Sequence, residues 1–267
     1  MSAVLITIPG DTKMAFANML YQKTDGALEL VIIQKPKHKT PVQRVIRFYQ
    51  QVTWRMFGEM WYAILLRLNR RVRAALEYFR ENTIRNASDG YMAPTFEVDS
   101  VNSDVVYEIL KKISPDLLVV WGSTILEPRI IATAKQAINL HLGYCPHYRG
   151  ALANQHAVLC DDLSKIGATI HYISEKPDAG DIIRVIPADL AKKPKELFCS
   201  LNDQAVHAYL AVAADLHMGK QLPTEAQDIS QSKNFLLRSW TPSVRYELGK
   251  KIIAWEHRAK ESETRCC

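Results

Sequence analysis

Short β-rich runs separated by helical patterns constrain this chain more than any single motif does. "AVLITI" from Ala3 gives way to "DTKMAFANMLYQ", whose apolar residues recur at helical steps, and then to "LELVIIQ". Past residue 85 the alternation resumes, with a helix predicted over 103–113, a strand in "DLLVVWG", a helix over 127–136 and a strand in "AINLHL". Strands that alternate with helices pair in parallel, because each helix returns the chain to the starting edge of the next strand. The unbroken apolar run Leu117–Trp121 fits a strand covered on both faces. "GATIHYIS" and "DIIRVIPADL" predict a strand pair joined by "EKPDAG", where Pro177 and Gly180 supply the bend. The expected fold is therefore α/β, a Rossmann-like, mostly parallel sheet with flanking helices. With 267 residues, 48% of them hydrophobic, the chain can bury one main domain with an appendage.

Two stretches depart from the alternation. Between Lys35 and Arg85 there are twelve Lys or Arg against three Glu, a net of +9 in a chain whose total is +6. Apolar residues from Val42 to Leu68 recur there at steps of three and four, with Pro41 suited to a first turn and Thr40 to its cap, which predicts one or two amphipathic helices over about 41–81. This is a basic helical insertion at about 35–85. Beyond residue 190 the pattern is helical again, with a long helix closing on Gly219 and a last one opening at Thr241, a helical C-terminal extension over 191–267.

No apolar stretch approaches the roughly 20 residues that cross a bilayer. "MSAVLITIPGD" lacks a basic leader and reads as strand and turn, so a cytoplasmic protein is expected. Cys145, Cys160 and Cys199 are scattered and Cys266 and Cys267 adjoin at the tail, which suggests a reducing compartment rather than a disulfide framework. Neither the cysteines nor His156 and His171 have metal-ligand spacing, and no metal is expected. "NAS" at Asn86 matches a glycosylation sequon that has no meaning in a cytoplasmic protein.

Ligands of open parallel sheets collect beyond the carboxyl ends of the strands. "INLHLGYCPHYRG" places Asn139 and His141 at such an end, two residues apart and so on one face. An amide beside an imidazole can stabilise a developing oxyanion and move protons; on spacing alone a capped strand end with a satisfied histidine is the simpler reading. Asp178, in the Pro/Gly turn, is either turn chemistry or a carboxylate facing the same crevice, where it would hold the imidazole's tautomer. Asp181 is the competing carboxylate. Arg149, after Tyr148 in "HYRGALAN", reads equally as a partner for a substrate phosphate and as a surface arginine, while Asn154 caps the next helix or meets the acceptor. For His156 and His171 plain helix-face and strand-face positions are favoured.

"INLHLGYCPHYRG", with "GATIHYISEKPDAGDII" after a short spacer and "PDLLVVWGSTILEP" before it, resembles the folate-dependent formyltransferase family, closest to its amino-sugar N-formyltransferase branch. The likeness runs over about residues 96–190 and only weakly over the first 34. It implies a catalytic domain over 1–190, with Asn139, His141 and Asp178 as the catalytic residues and Asp181 excluded. The implied donor is 10-formyltetrahydrofolate, its pterin lined by Ser123, Thr124, Ile125 and the backbone of Glu175, Lys176, Pro177 and Gly180. Tyr148, Arg149 and Asn154 would lie on the acceptor side. In two places the chain departs from the family. The usual His-Pro-Ser-Leu-Leu-Pro run is His141, Leu142, Gly143, Tyr144, Cys145, Pro146, and the glycine-rich phosphate loop of the ribonucleotide branch is replaced by "TIPGDTKM".

The implied chemistry is attack of a neutral amine on the formyl carbon. Asn139 and a cationic His141 would donate to the oxygen, and Asp178 would keep the imidazole charged. A nucleotide-linked or lipid-linked amino sugar is the expected acceptor, since a tail this short and helical leaves no room for a tRNA-gripping barrel. A methionyl-tRNA enzyme, a formyltetrahydrofolate hydrolase and a non-catalytic folate or sugar-nucleotide binder are the alternatives. For the basic insertion, packing on the sheet or a homodimer is preferred, then peripheral contact with anionic lipid, then nucleic acid.

Overall fold

The computed structural model describes residues 1–36, 54–80 and 90–265. Seven strands form one sheet: β1 (Ala3–Thr7), β2 (Leu28–Gln34), β3 (Thr95–Val98), β4 (Leu117–Trp121), β5 (Gln136–His141), β7 (Gly167–Tyr172) and β8 (Ile182–Pro187), in the order β3-β2-β1-β4-β5-β7-β8. From β3 to β5 every pairing is parallel, whereas β5–β7 and β7–β8 are antiparallel. Every residue of β1 and β4 is buried, as their continuous apolar sequences require of strands covered on both faces. The strand order reverses between β1 and β4, which opens a crevice beyond their carboxyl ends.

Helices cover both faces. On one side lie α1 (Asp11–Lys23) and the long α7 (Pro194–His217), whose Phe198, Leu201, Val206 and Tyr209 enter a core with Phe16, Val119 and Ile138. On the other, α4 (Asp104–Ile113) packs Val106 and Leu110 on Val4, Ile6 and Val120. The Tyr209 hydroxyl accepts the Val120 N–H at 3.0 Å and lies 2.8 Å from the Val120 carbonyl and 3.0 Å from that of Ile138. It thereby ties the α7 layer to the two strands that lead into the crevice. The helix predicted after residue 190 thus belongs to the sheet's own core.

The helix expected over 127–136 is a single turn, α5 (Pro128–Ile131). The Thr133 hydroxyl donates to the Ile130 carbonyl at 2.7 Å, a side-chain bond that competes with helix continuation, and β5 already begins at Gln136. Of the basic insertion, α2 (Trp54–Leu68) and α3 (Arg70–Leu76) are described, followed by a 3-10 turn over Glu77–Phe79. The predicted start of that stretch at Thr40 and Pro41, the sequon at Asn86, and Cys266 and Cys267 lie outside the described residues. The last helix, α8 (Pro242–Arg265), packs on α2, α3 and α6 (Ala153–Leu159). A feature without a sequence signal is a two-stranded parallel sheet between β6 (Tyr148–Gly150) and β9 (Lys233–Phe235), which folds the segment after α7 back over the crevice. No described helix is long and apolar enough to cross a membrane.

Candidate active site

Asn139 and His141 are the last alternate residues of β5, and both face a cavity of about 760 Å³. One wall is the loop Gly122–Leu126 after β4, and others are Ser174, Pro177 and Asp178 after β7, Gly150–Leu152 after β6, and Asn234–Leu237 at β9. The first loop is held open by the end of β2, where the Gln34 side chain accepts the Thr124 N–H at 3.0 Å. Asn102 pins its far side, donating to the Ile125 carbonyl at 2.9 Å.

The second loop carries Asp178 in a left-handed conformation (φ 52°) that aims its side chain back at β5. Two contacts fix it there. The Gly150 N–H donates to Asp178 Oδ2 at 2.9 Å, and the Arg149 guanidinium donates to the Pro177 carbonyl at 3.0 Å. A Cβ on Gly150 would lie 2.3 Å from the Phe235 carbonyl oxygen, so only glycine lets this amide approach. At Gly180 the conflict is sharper, 1.9 Å from the Tyr172 carbonyl oxygen. Gly180→Ala is expected to cost about 1–3 kcal/mol of stability through overpacking, read as a lower denaturant midpoint with little change in slope.

Around the Asp178 carboxylate stand two imidazoles. His141 Nδ1 is 3.6 Å from Oδ2 and His171 Nε2 is 3.6 Å from Oδ1. His171 lies directly across the β5–β7 ladder from Asn139, whose amide donates to His171 Nε2 at 3.2 Å, while His171 Nδ1 donates to the Tyr172 carbonyl at 2.8 Å. His141 Nε2 faces the Tyr148 carbonyl at 3.1 Å and must carry its hydrogen there. In the neutral ring the Nδ1 lone pair then faces an ionised carboxylate, an arrangement that favours an N–H donor or a proton between the two.

Burial would raise Asp178, but the two imidazoles and the Gly150 amide outweigh it and hold the carboxyl well below the usual carboxylate range. Burial lowers His141 from the ordinary histidine value, and the neighbouring Asp178 charge only partly offsets it. The standing cation expected from the sequence is therefore corrected: this imidazole rests neutral at neutral pH. Burial also pushes the Cys145 thiol up to about 12, which leaves it a protonated neighbour of the Asp178 carbonyl rather than a nucleophile.

Of the other predicted site residues, Ser123, Thr124, Ile125 and Pro177 line the cavity. Glu175 and Lys176 point to solvent, and Gly180 is buried against β7. Tyr148 is buried beneath the site and donates its hydroxyl to Asp162 at 3.1 Å. Arg149 is buried too, bonded to Ser232 at 2.9 Å as well as to Pro177, so it braces the aspartate loop instead of meeting a phosphate. Asn154 neither caps its helix nor reaches the cavity: it bonds both the N–H and the carbonyl of Gly167, at 3.0 and 2.9 Å. Sequence reasoning missed His171, Gln155 and Asn234, all in the wall. The alternation Thr169, His171 was a signal for the first, while Asn234 depends on the β6–β9 pairing. His156, by contrast, stacks on Phe235 with ring centroids 3.8 Å apart. Among the described residues no group of three or more His, Cys, Asp or Glu is arranged to hold a metal ion.

Residues 62–212 match the family described as Formyl transferase. A methionyl-tRNA formyltransferase of Syntrophus aciditrophicus is 30% identical over 177 residues, which are 64% of this chain and 53% of that protein. The chain therefore spans about half the length of this curated relative. Among solved structures, a sugar N-formyltransferase from Shewanella sp FDAARGOS_354 superposes with a TM-score of 0.55 at 13% identity, covering 90% of this chain and 78% of that one. A 4-N formyltransferase from Francisella tularensis gives 0.53 at 13% identity over the same shares, 90% and 78%. At that identity these two show a shared fold.

Proposed function

Since this chain belongs to the formyl transferase family, we propose that it moves a formyl group from 10-formyltetrahydrofolate to the amine of a nucleotide-linked or lipid-linked amino sugar. The observation that carries this reading is the convergence of His141 and His171 on an ionised Asp178, with Asn139 bonded to His171, at the wall of one cavity. The donor's flat ring suits that cavity: Trp121, Leu126, Leu140, Leu142 and Ile173 give it apolar faces, and its volume of about 760 Å³ lies in the usual range for a ligand of this size. When bound, the donor supplies an activated formyl carbon.

The chain's own residues do the rest. The Asp178 carboxylate and the lone pair on His141 Nδ1 attract an amine through its N–H groups and orient its lone pair. As the amine attacks, negative charge develops on the formyl oxygen, and the Asn139 amide donates to it. The proton shed by the nitrogen passes to His141, whose cation Asp178 stabilises, and is then available to the leaving nitrogen. Because the base must start neutral, the lowered affinity of His141 for protons serves the reaction. Asn139→Ala is expected to slow turnover on the order of a hundredfold while leaving the melting temperature within a few degrees; near-normal turnover would remove Asn139 from this role.

For the acceptor, the cavity wall contributes no Lys or Arg among the described residues and offers amides from Gln155 and Asn234. Uncharged amides pair with hydroxyls, which supports a sugar rather than a phosphate beside them. A second reading, the amino group of methionyl-tRNA, is favoured by the name of the curated relative and by the net +9 of residues 35–85. Mass spectrometry after incubation with the donor and a panel of nucleotide-linked amino sugars, or with methionyl-tRNA, separates them by which product gains a formyl group. Donor consumption without any amine would instead indicate hydrolysis.

A further inference from the structure

The outer face of α2 is apolar, yet its large side chains are not buried against the fold. Met60, Trp61, Ile64 and Leu68 are 52%, 59%, 47% and 73% exposed. At 3.6 residues per turn they fall within an arc of about 100°. The opposite face is already occupied: Leu66 is buried, the Glu59 carboxylate accepts the Ser243 N–H at 2.9 Å and its hydroxyl at 2.6 Å, and Tyr62 packs on Tyr246 with centroids 5.8 Å apart. The helix is thus anchored to α8 by one side and presents a second apolar stripe to solvent.

Charge decides what such a stripe suits. From Met60 to Leu76 the sequence holds Arg67, Arg70, Arg71 and Arg73 and no acid, and all four arginines are exposed. Pairing this face with a second copy would set together two stretches that each carry four arginines and no acid, and so supply no counter-charge. An anionic surface instead neutralises the arginines while taking up the stripe. At 15 residues α2 is too short to cross a bilayer, but a helix with one apolar stripe and flanking cations suits the plane of the interface, where indole rings reside.

We propose that α2 and α3 dock this protein on an anionic lipid bilayer, with Met60, Trp61, Ile64 and Leu68 entering the headgroup boundary and Arg67, Arg70, Arg71 and Arg73 facing lipid phosphates. Three residues past α3, Phe79 packs on Phe198 with centroids 4.1 Å apart and lines the cavity, so one short stretch joins the docking surface to the site. The docking surface does not depend on the formyl-transfer reading, and failure of either leaves the other standing.

The test is flotation of the full chain, at about 0.1 M salt, with vesicles of phosphatidylcholine alone or in an equimolar mixture with phosphatidylglycerol. Binding to the mixture but not to phosphatidylcholine is expected. The Trp61→Ser, Leu68→Ser double variant, altered only at exposed positions, should lose on the order of tenfold in binding with its circular dichroism unchanged. Arg67→Gln with Arg71→Gln should weaken binding and flatten its dependence on salt. Absence of flotation with the mixed vesicles, or equal flotation of the double serine variant, overturns the proposal. So does a dimer in sedimentation velocity that the same variant dissociates, since the stripe would then belong to a second copy.

Discussion

Asp178→Asn is expected to lower turnover on the order of a thousandfold, within the span that positioned acid–base groups contribute. The substitution keeps the side chain's shape and leaves an oxygen to accept the Gly150 N–H, which in the native protein bonds Oδ2 at 2.9 Å. It removes the negative charge that stabilises a protonated His141, 3.6 Å away. A loss in kcat with little change in donor affinity is the signature, since Asp178 acts when the proton moves. A variant within tenfold of the native enzyme would show that the charge is dispensable. Stability supplies an independent readout. The Asp178 carboxyl titrates below its ordinary value, so it contributes stability that is present above the unfolded-state pKa of about 4 and is lost as pH falls through the folded-state value. The stability gap between the native protein and the Asp178→Asn variant should therefore be open at neutral pH and narrow in acid.

His141→Gln should cost turnover by a similar factor, on the order of a thousandfold, because the amide can still bond the Tyr148 carbonyl but cannot take a proton. Its pH behaviour is the sharper test. In the native enzyme kcat/KM should rise with pH as His141 loses its proton, with a midpoint below the ordinary histidine value of 6.5, because burial disfavours the charged ring. That acid limb should vanish in the Gln variant, which is measured at saturating donor over the acid-to-neutral range. A limb that persists unchanged in the variant would assign the titration to another group. A midpoint above 6.5 would mean that Asp178 dominates burial, and would restore the resting cation.

The strand–helix alternation carried the parallel part of the sheet because each strand's burial is written in its own composition. Leu117–Trp121 is apolar without a break and is covered on both sides. Asn139 and His141 were legible as a pair because a strand's two-residue period puts them on one face whatever the strand pairs with. Asp178 was visible only as a turn residue. That it faces β5 depends on the left-handed backbone at that position and on the Gly150 amide, 28 residues away. His171 was set aside as a strand-face histidine, since the antiparallel register that puts it opposite Asn139 joins residues 32 apart in the chain. Arg149 shows the converse: a local pattern equally suited to a phosphate turned out to serve the carbonyl of Pro177.

What the sequence determined by itself was the alternating strands and helices of the sheet's parallel part, the polar pair at the end of β5, and a chain dense in arginine beside an apolar stripe, since all of these are short-range patterns. Only the tertiary structure decided which titratable groups share a cavity, that His141 is buried enough to rest uncharged, and that α8 covers one face of α2 and leaves the other open. Those outcomes turn on desolvation and on contacts between residues far apart in the chain, and neither quantity is a property of any local segment.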